Sequence, residues 1–459
     1  MTIYSDFVQD CVKASRPDTT YETVEDALQA AHSRYRERNP TSLELYDEAT
    51  ESLPGGNTRS LLHHTPFPVY MKHGTGHQVF SEDGHAYTDF VGELTAALYG
   101  HSHPLILDTL HKTLDTMGLN LGATTRLETE HAKLMCQRFN IGKVRFTNSG
   151  TESNLHAIQA ARYFTGKRKI VVFTGGYHGG VFDFTAPDGL AAKNVVDRGE
   201  FLILPYNDVT AIKQIEMMPD VAAVLVEGMQ GAGPCICGTD EFLLQIQHST
   251  RESGAVFILD EVMTSRLAPG GLRSLVTGLK PDMMTFGKYL GGGITFGAFG
   301  GSENIMAVYD PRMKGALAHS GTFNNNTLSL AAGAVGLSQI FTSEVCIQFN
   351  QDALNLISQL QEISKGTKLT VLGRGSVFGV HFLRDGAKDL VNVSHRHDDF
   401  ELKELFWLEM MEDGFWITKR GSVALILGTP ASELQRFVDA VKGFLERHEK
   451  FVKLGKLAP

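Results

Sequence analysis

The 459-residue chain lacks any apolar run near the roughly 20 residues that a membrane helix needs. It also lacks an excess of positive charge. With 42 Lys and Arg against 52 Asp and Glu the formal net charge is −10, which excludes the basic footprint of a nucleic-acid binder. Cysteine is scarce: Cys11, Cys136, Cys235, Cys237 and Cys346 are odd in number and scattered. They spell neither a disulfide framework nor a zinc site, and Cys235-Ile236-Cys237 matches no redox signature. The opening stretch MTIYSDFVQDCVKAS has no basic start and no apolar centre, so a secretory signal is not expected. No internal repeat and no low-complexity tract interrupts the chain. These absences lead us to expect a soluble cytoplasmic protein with neither nucleic acid nor membrane as partner.

What is present is ordinary globular sequence, 42% hydrophobic and 20% charged, long enough for more than one lobe. Residues 22–50 have helical composition, and ESLPGGNTRS at 51–60 then breaks it with Pro54, Gly55 and Gly56. SEDGHAYTDF reads as a hairpin turning at Asp83-Gly84. From about residue 143 short apolar runs alternate with helical segments: KVRFTN, KIVVF, FLILPY, VAAVLVEG, AVFILDEV, DMMTFGK and FGAFGG. Strands joined in this way predict a mostly parallel sheet with helices on both faces. After about residue 345 helices and short alternating strands such as SVALIL predict a smaller lobe, shared with the N-terminal segment.

In such sheets ligands sit beyond the carboxyl ends of the strands, so the residues that follow each run matter most. After the first, NSGTES spaces Ser149 and Glu152 as a capping box, which opens a helix and exposes the amides of Gly150 and Thr151. That is either a capped helix alone or a seat for a phosphate. After the second, GGYHGG holds Tyr177 and His178 between glycines, as a plain loop or as a ring poised to stack on a flat ligand. The fifth ends in Asp260 and Glu261, where a carboxylate is costly unless it meets a cation or a strong donor. Salt bridge, metal ligand and catalytic group all fit. No histidine-carboxylate cluster accompanies Asp260, which speaks against metal, and His63-His64, His101-His103 and the SHRHDD stretch read as structural. The sixth run delivers Lys288 into three glycines. Burial there lowers the proton affinity of an amine and frees it to attack a carbonyl. Phosphate seat, stacking ring, buried aspartate and nucleophilic lysine together describe pyridoxal 5′-phosphate, whose phosphate, planar ring, pyridine nitrogen and aldehyde they would meet in turn.

The motifs NSGTES, GGYHGG, LDEVMTSR, FGKYLGGG and HSGTFNNN resemble those of class III pyridoxal-phosphate aminotransferases of fold type I, from about residue 45 to the C-terminus. The resemblance implies an α/β fold with a seven-stranded, mostly parallel sheet and a smaller α+β lobe. Its parts would be an N-terminal segment at 1–75, a cofactor-binding domain at 76–340 and a C-terminal domain at 341–459. It implies that Lys288 bonds the cofactor aldehyde and shuttles the proton, and that Asp260 pairs with the pyridinium nitrogen. Ser149, Gly150 and Thr151 would cradle the phosphate, with Tyr177 against the ring. Thr322 would reach the phosphate of a neighbouring subunit in a homodimer with shared sites. Glu227 matches an acidic family position, but Gly228 replaces the proline that usually follows it.

Within the family, PGGNTRSLLHHTPFP, DEVMTSRLAPGGL and LAHSGTFNNN resemble the β-amino acid transaminases, typified by the β-phenylalanine aminotransferases, more than the glutamate-1-semialdehyde 2,1-aminomutases. That likeness implies two substrate carboxylate receivers, Arg59 and Arg420. The plainer readings are a surface ion pair for Arg59 and a turn cap for Arg420. The expected reaction passes an amino group from a β-amino acid or related amine to a 2-oxo acid by double displacement. An aminomutase, a transaminase indifferent to the substrate carboxylate and a non-catalytic cofactor binder are the rival readings.

Overall fold

Each strand of the central sheet divides its side chains between two cores. A computed structural model describes residues 20–119, 121–185, 198–232 and 235–454; Cys11 and the opening stretch lie outside them. Two helices come first, α1 (Val24–Arg38) and α2 (Pro40–Thr50). Pro40 ends the expected single helical run and starts the second helix, because its ring cannot continue α1. Strands β1 (Met71–Thr75), β2 (Gln78–Ser81) and β3 (Ala86–Asp89) follow as an antiparallel meander whose second turn contains Asp83-Gly84. Helices α3 (Pro104–Thr116) and α4 (Arg126–Phe139) lead to the main sheet.

That sheet comprises β4 (Lys143–Thr147), β5 (Lys169–Phe173), β6 (Phe201–Leu204) and β7 (Val221–Glu227). After the short hairpin of β8 (Met229–Gln230) and β9 (Ile236–Cys237) it is completed by β10 (Val256–Asp260), β11 (Met283–Gly287) and β12 (Gly297–Gly301). The order is β4-β12-β11-β10-β7-β5-β6. β12 runs antiparallel to both its neighbours and the other pairings are parallel. The seven apolar runs of the sequence are these seven strands, in the α/β fold expected of them.

Strand periodicity distributes the core. Ile170 and Val172, Ala223 and Leu225, and Val256 and Ile258 face one layer, with Ala157, Ile158 and Ala161 of helix α5 (Gly150–Thr165). Val171 and Phe173, Val224 and Val226, and Phe257 and Leu259 face the other. Each valine, leucine, isoleucine or phenylalanine among them, once fully buried, contributes about 1.5–3 kcal/mol. Asp260 continues the even positions of its strand, which turns it toward α5.

A third core joins the two ends of the chain. Ala27, Ala31 and Tyr35 of α1 pack with Tyr87, Phe90, Trp407, Phe437 and Phe444. Strand β13 (Leu369–Arg374) pairs with β14 (Val377–Phe382), β15 (Phe415–Trp416) adds parallel to β3, and β16 (Ser422–Ala424) pairs with β14. The meander of β1 to β3 therefore shares its sheet with a C-terminal strand.

One side chain ties this lobe to the segment after β10. Arg266 is fully buried and donates to Ser376 Oγ at 3.1 Å, Thr95 O at 3.4 Å and Leu425 O. Burial lowers its pKa only to about 10, so it stays charged at neutral pH, with its charge met by these oxygens. Replacing it by Met leaves three acceptors short of a donor at about 1–3 kcal/mol each where no water replaces it. Arg266→Met should lower the thermal unfolding midpoint by several degrees in calorimetry; an unchanged midpoint would contradict this role.

Candidate active site

Strand register brings the candidate residues to one end of the sheet. Asp260 of β10 pairs with Glu227 of β7 on one side and Thr285 of β11 on the other. Gly287, which ends β11, hands on to Lys288.

Asp260 is 4% exposed, and its carboxylate has three donors. Asn154 Nδ2 and His178 Nδ1 each lie 2.8 Å from Oδ2, and the Val262 amide donates to Oδ1 at 3.0 Å. Asn154 is itself fixed. Its Oδ1 accepts from Thr285 Oγ1 at 2.7 Å, and its Nδ2 also donates to the carbonyl of His178 at 2.9 Å. The sequence reading did not single out Asn154. Its signal is a polar residue, beside Ser153, on the α5 face that otherwise turns Ala157, Ile158 and Ala161 to the sheet.

The α5 N-terminus departs from the expected capping box in one respect. Ser149 Oγ accepts from the Glu152 amide at 3.2 Å, but the Glu152 carboxylate reaches past Ser149 and accepts from the Asn148 amide at 3.0 Å. The Ser149 carbonyl takes the Ser153 amide at 3.0 Å. The amides of Gly150 and Thr151 are thus left without a partner among the described residues, at the positive end of a 16-residue helix. The GGYHGG loop closes on them: Gly179 has φ 127°, and a Cβ there would stand 2.3 Å from Thr151 Oγ1.

Tyr177 is 43% exposed while its amide donates to Glu227 Oε2 at 2.9 Å. Gly231 donates to Glu227 Oε1 at 3.0 Å. Burial, with Asp260 adding to it, raises the Glu227 carboxyl to about 7. The glycine after it has a packing reason, since a Cβ at Gly228 would stand 2.3 Å from Leu272 Cδ2. Glu261 is a structural staple. It accepts from Thr264 Oγ1 at 2.6 Å and from the amides of Leu272 at 3.1 Å and Arg273 at 2.8 Å.

Lys288 adopts φ 59° and donates from Nζ to the Leu94 carbonyl at 2.5 Å. Burial first, then the nearby cations Arg420 and Arg59, lower its amine to about 8. Both arginines also act on the Tyr177 phenol, so the two lie about the same space. Arg420 sits in the turn at Thr418–Gly421, with no partner for Nε among the described residues. Arg59 forms an ion pair with Glu93, as the plainer of its two readings expected. Thr322 is exposed in the single chain. Its turn borders a groove of about 900 Å³ lined by Arg145, Tyr309, His319 and Gly321. Among the described residues no group of three or more His, Cys, Asp or Glu side chains is placed to hold a metal.

Chemically, the arrangement offers an anion seat, a planar stacking surface, a buried carboxylate and an amine that is uncharged at mildly alkaline pH. Residues 61–435 match the family described as aminotransferase class-III. An uncharacterized aminotransferase of Schizosaccharomyces pombe is 44% identical over 430 residues, covering 93% of this chain and 97% of that one. The β-phenylalanine transaminase of Variovorax paradoxus is 42% identical over 437 residues, covering 94% and 98%. A crystal structure of a β-phenylalanine aminotransferase from Variovorax paradoxus superposes with a TM-score of 0.90 at 41% identity, over 94% of this chain and all of that one.

The lowered amine generates a prediction. An ordinary lysine would be about 0.3% uncharged at pH 8, whereas Lys288 is half uncharged there. The rate at which cofactor-stripped protein takes up pyridoxal 5′-phosphate at Lys288 should therefore inflect near pH 8. An inflection near the ordinary lysine value of 10.5 would contradict it.

Proposed function

Because this chain belongs to the class-III aminotransferases, and is thus a transaminase, we propose that it moves the amino group of a β-amino acid such as β-phenylalanine to a 2-oxo acid such as 2-oxoglutarate or pyruvate. The family depends on pyridoxal phosphate, and the residues present suit that group. The unpartnered amides of Gly150 and Thr151, capped by Ser149, suit its phosphate. Asp260 suits a protonated ring nitrogen, Tyr177 a ring face, and the Lys288 amine an aldehyde. When bound, the cofactor supplies a carbonyl to take up the substrate amine and a ring to receive the electron pair released at the amine-bearing carbon.

The chain's own groups do the rest. Lys288, with its proton affinity lowered, takes the proton from the amine-bearing carbon and returns it elsewhere. Asp260 keeps a proton on the ring nitrogen, and Asn154 and His178 hold its carboxylate in place for that task. Glu227 fixes the Tyr177 backbone by accepting a hydrogen bond from its amide at 2.9 Å. Thr322, exposed within one chain, is assigned to the phosphate of a neighbouring copy in a homodimer.

The observation that carries the substrate class is the pair of guanidinium groups about Lys288, Arg59 at the mouth and Arg420 deeper. A β-amino acid sets its carboxylate one carbon further from the reacting amine than an α-amino acid does. A 2-oxo diacid presents carboxylates at two distances. Two planar forks serve both in one pocket, with donor and acceptor taking turns.

Initial rates with β-phenylalanine and 2-oxoglutarate test this reading. Turnover should need both substrates, and Lys288→Ala should lower kcat by about a thousandfold or more. Arg59→Ala or Arg420→Ala should each raise a KM by about ten- to a hundredfold, the loss of a charge-assisted pair. Turnover without an acceptor would point instead to an aminomutase, and unchanged KM values to a substrate that needs no carboxylate.

A further inference from the structure

The Arg59–Glu93 pair lies where the proposed substrate carboxylate would have to go. We propose that Glu93 stands in for that carboxylate, holding Arg59 while the pocket has no carboxylate ligand and yielding it when one arrives. Glu93 would thereby set how strongly the enzyme discriminates carboxylate substrates from neutral amines. The inference rests on the reading of Arg59 as the carboxylate receiver.

The two partners differ in freedom. Glu93 sits in a turn of four consecutive left-handed residues: Gly92 at φ 51°, Glu93 at 46°, Leu94 at 53° and Thr95 at 82°. Such a run is strained at each non-glycine residue and persists only where surroundings over-determine it. Here they do. Asp89 Oδ1 accepts the amides of Val91 at 2.7 Å and Gly92 at 3.0 Å. The buried Arg266 bonds the carbonyl of Thr95. A Cβ at Gly92 would stand 2.6 Å from the Ala424 carbonyl, so the turn is pressed against the C-terminal lobe as well. The Glu93 carboxylate thus projects from a fixed base.

Arg59 has no such frame. It follows the Pro54–Gly56 turn on extended backbone, at φ −125°, and its guanidinium has Glu93 as its one recorded partner among the described residues. Arg59 is therefore the partner that moves. The side chains are 41% and 56% exposed, and an ion pair that open to water is worth only about 0.2–1 kcal/mol. That is weak enough for a ligand carboxylate to displace it. Both charges reach the amine, Arg59 lowering the proton affinity of Lys288 and Glu93 raising it.

The test uses holoenzyme and two ligands that cannot react: 3-phenylpropanoate, which is β-phenylalanine without its amine, and its uncharged amide, 3-phenylpropanamide. Calorimetric titration should show Glu93→Gln binding 3-phenylpropanoate about two- to fivefold tighter than the unaltered enzyme, with the amide unchanged. Glu93→Gly, which suits the left-handed turn, should do the same. Arg59→Ala should weaken the carboxylate ligand about tenfold or more. If Arg59→Ala weakens it while neither Glu93 variant tightens it, the stand-in role is overturned and the reading of Arg59 stands. Equal shifts for carboxylate and amide would mark Glu93 as merely structural, which also overturns the role. If Arg59→Ala changes nothing, both ideas fall together.

Discussion

The site depends on a carboxylate placed where bulk water does not reach, at the end of a strand buried on both faces. Asp260 can stand there because register and helix placement surround it with donors. β11 puts Thr285 beside it, Thr285 orients Asn154, and Asn154 with His178 and the Val262 amide saturates the carboxylate. Remove one of these partners and a buried charge is left short of a donor, a loss that costs more than the bond itself contributed. The same helix that delivers Asn154 begins with the unpartnered amides of Gly150 and Thr151. Anion seat and aspartate are therefore positioned by one rigid element, four residues apart.

On the other side of the site the constraint is backbone strain. The left-handed turn at 92–95 is held by Asp89, just before it in sequence, and by Arg266 and Lys288 from distant segments. It carries both the carbonyl that receives the Lys288 amine and the carboxylate that receives Arg59. Arg266, from the loop just after Asp260, links this turn to Leu425, close in sequence to Arg420. The space about Lys288 is thus bordered from both lobes, with Lys288 after a sheet strand, Arg59 from the N-terminal segment and Arg420 from the C-terminal one.

Much of this was legible in the sequence because parallel strands buried on both faces are written as continuous apolar runs, and chemistry collects where those runs stop. Ser149, Gly150, Thr151, Tyr177, Asp260 and Lys288 all follow such ends. What escaped the reading depends on partners far apart in the chain. Nothing local shows that Glu152 reaches Asn148 instead of Ser149, or that Gly228 is required by Leu272. Glu93 appears in sequence as a surface acid, and only the fold places it against Arg59. The buried arginine at 266 ends the LDEVMTSR motif, yet its three oxygen partners lie at 95, 376 and 425. Thr322 was picked out by resemblance alone, and within one chain it faces outward.

The most direct measurement is the visible absorbance of the holoenzyme during each half of the reaction. Adding β-phenylalanine without an acceptor should bleach the cofactor band in stoichiometric amount, and 2-oxoglutarate added afterwards should restore it. A band that β-phenylalanine leaves unchanged, in protein with its cofactor fully bound, would contradict the two-arginine account of the substrate.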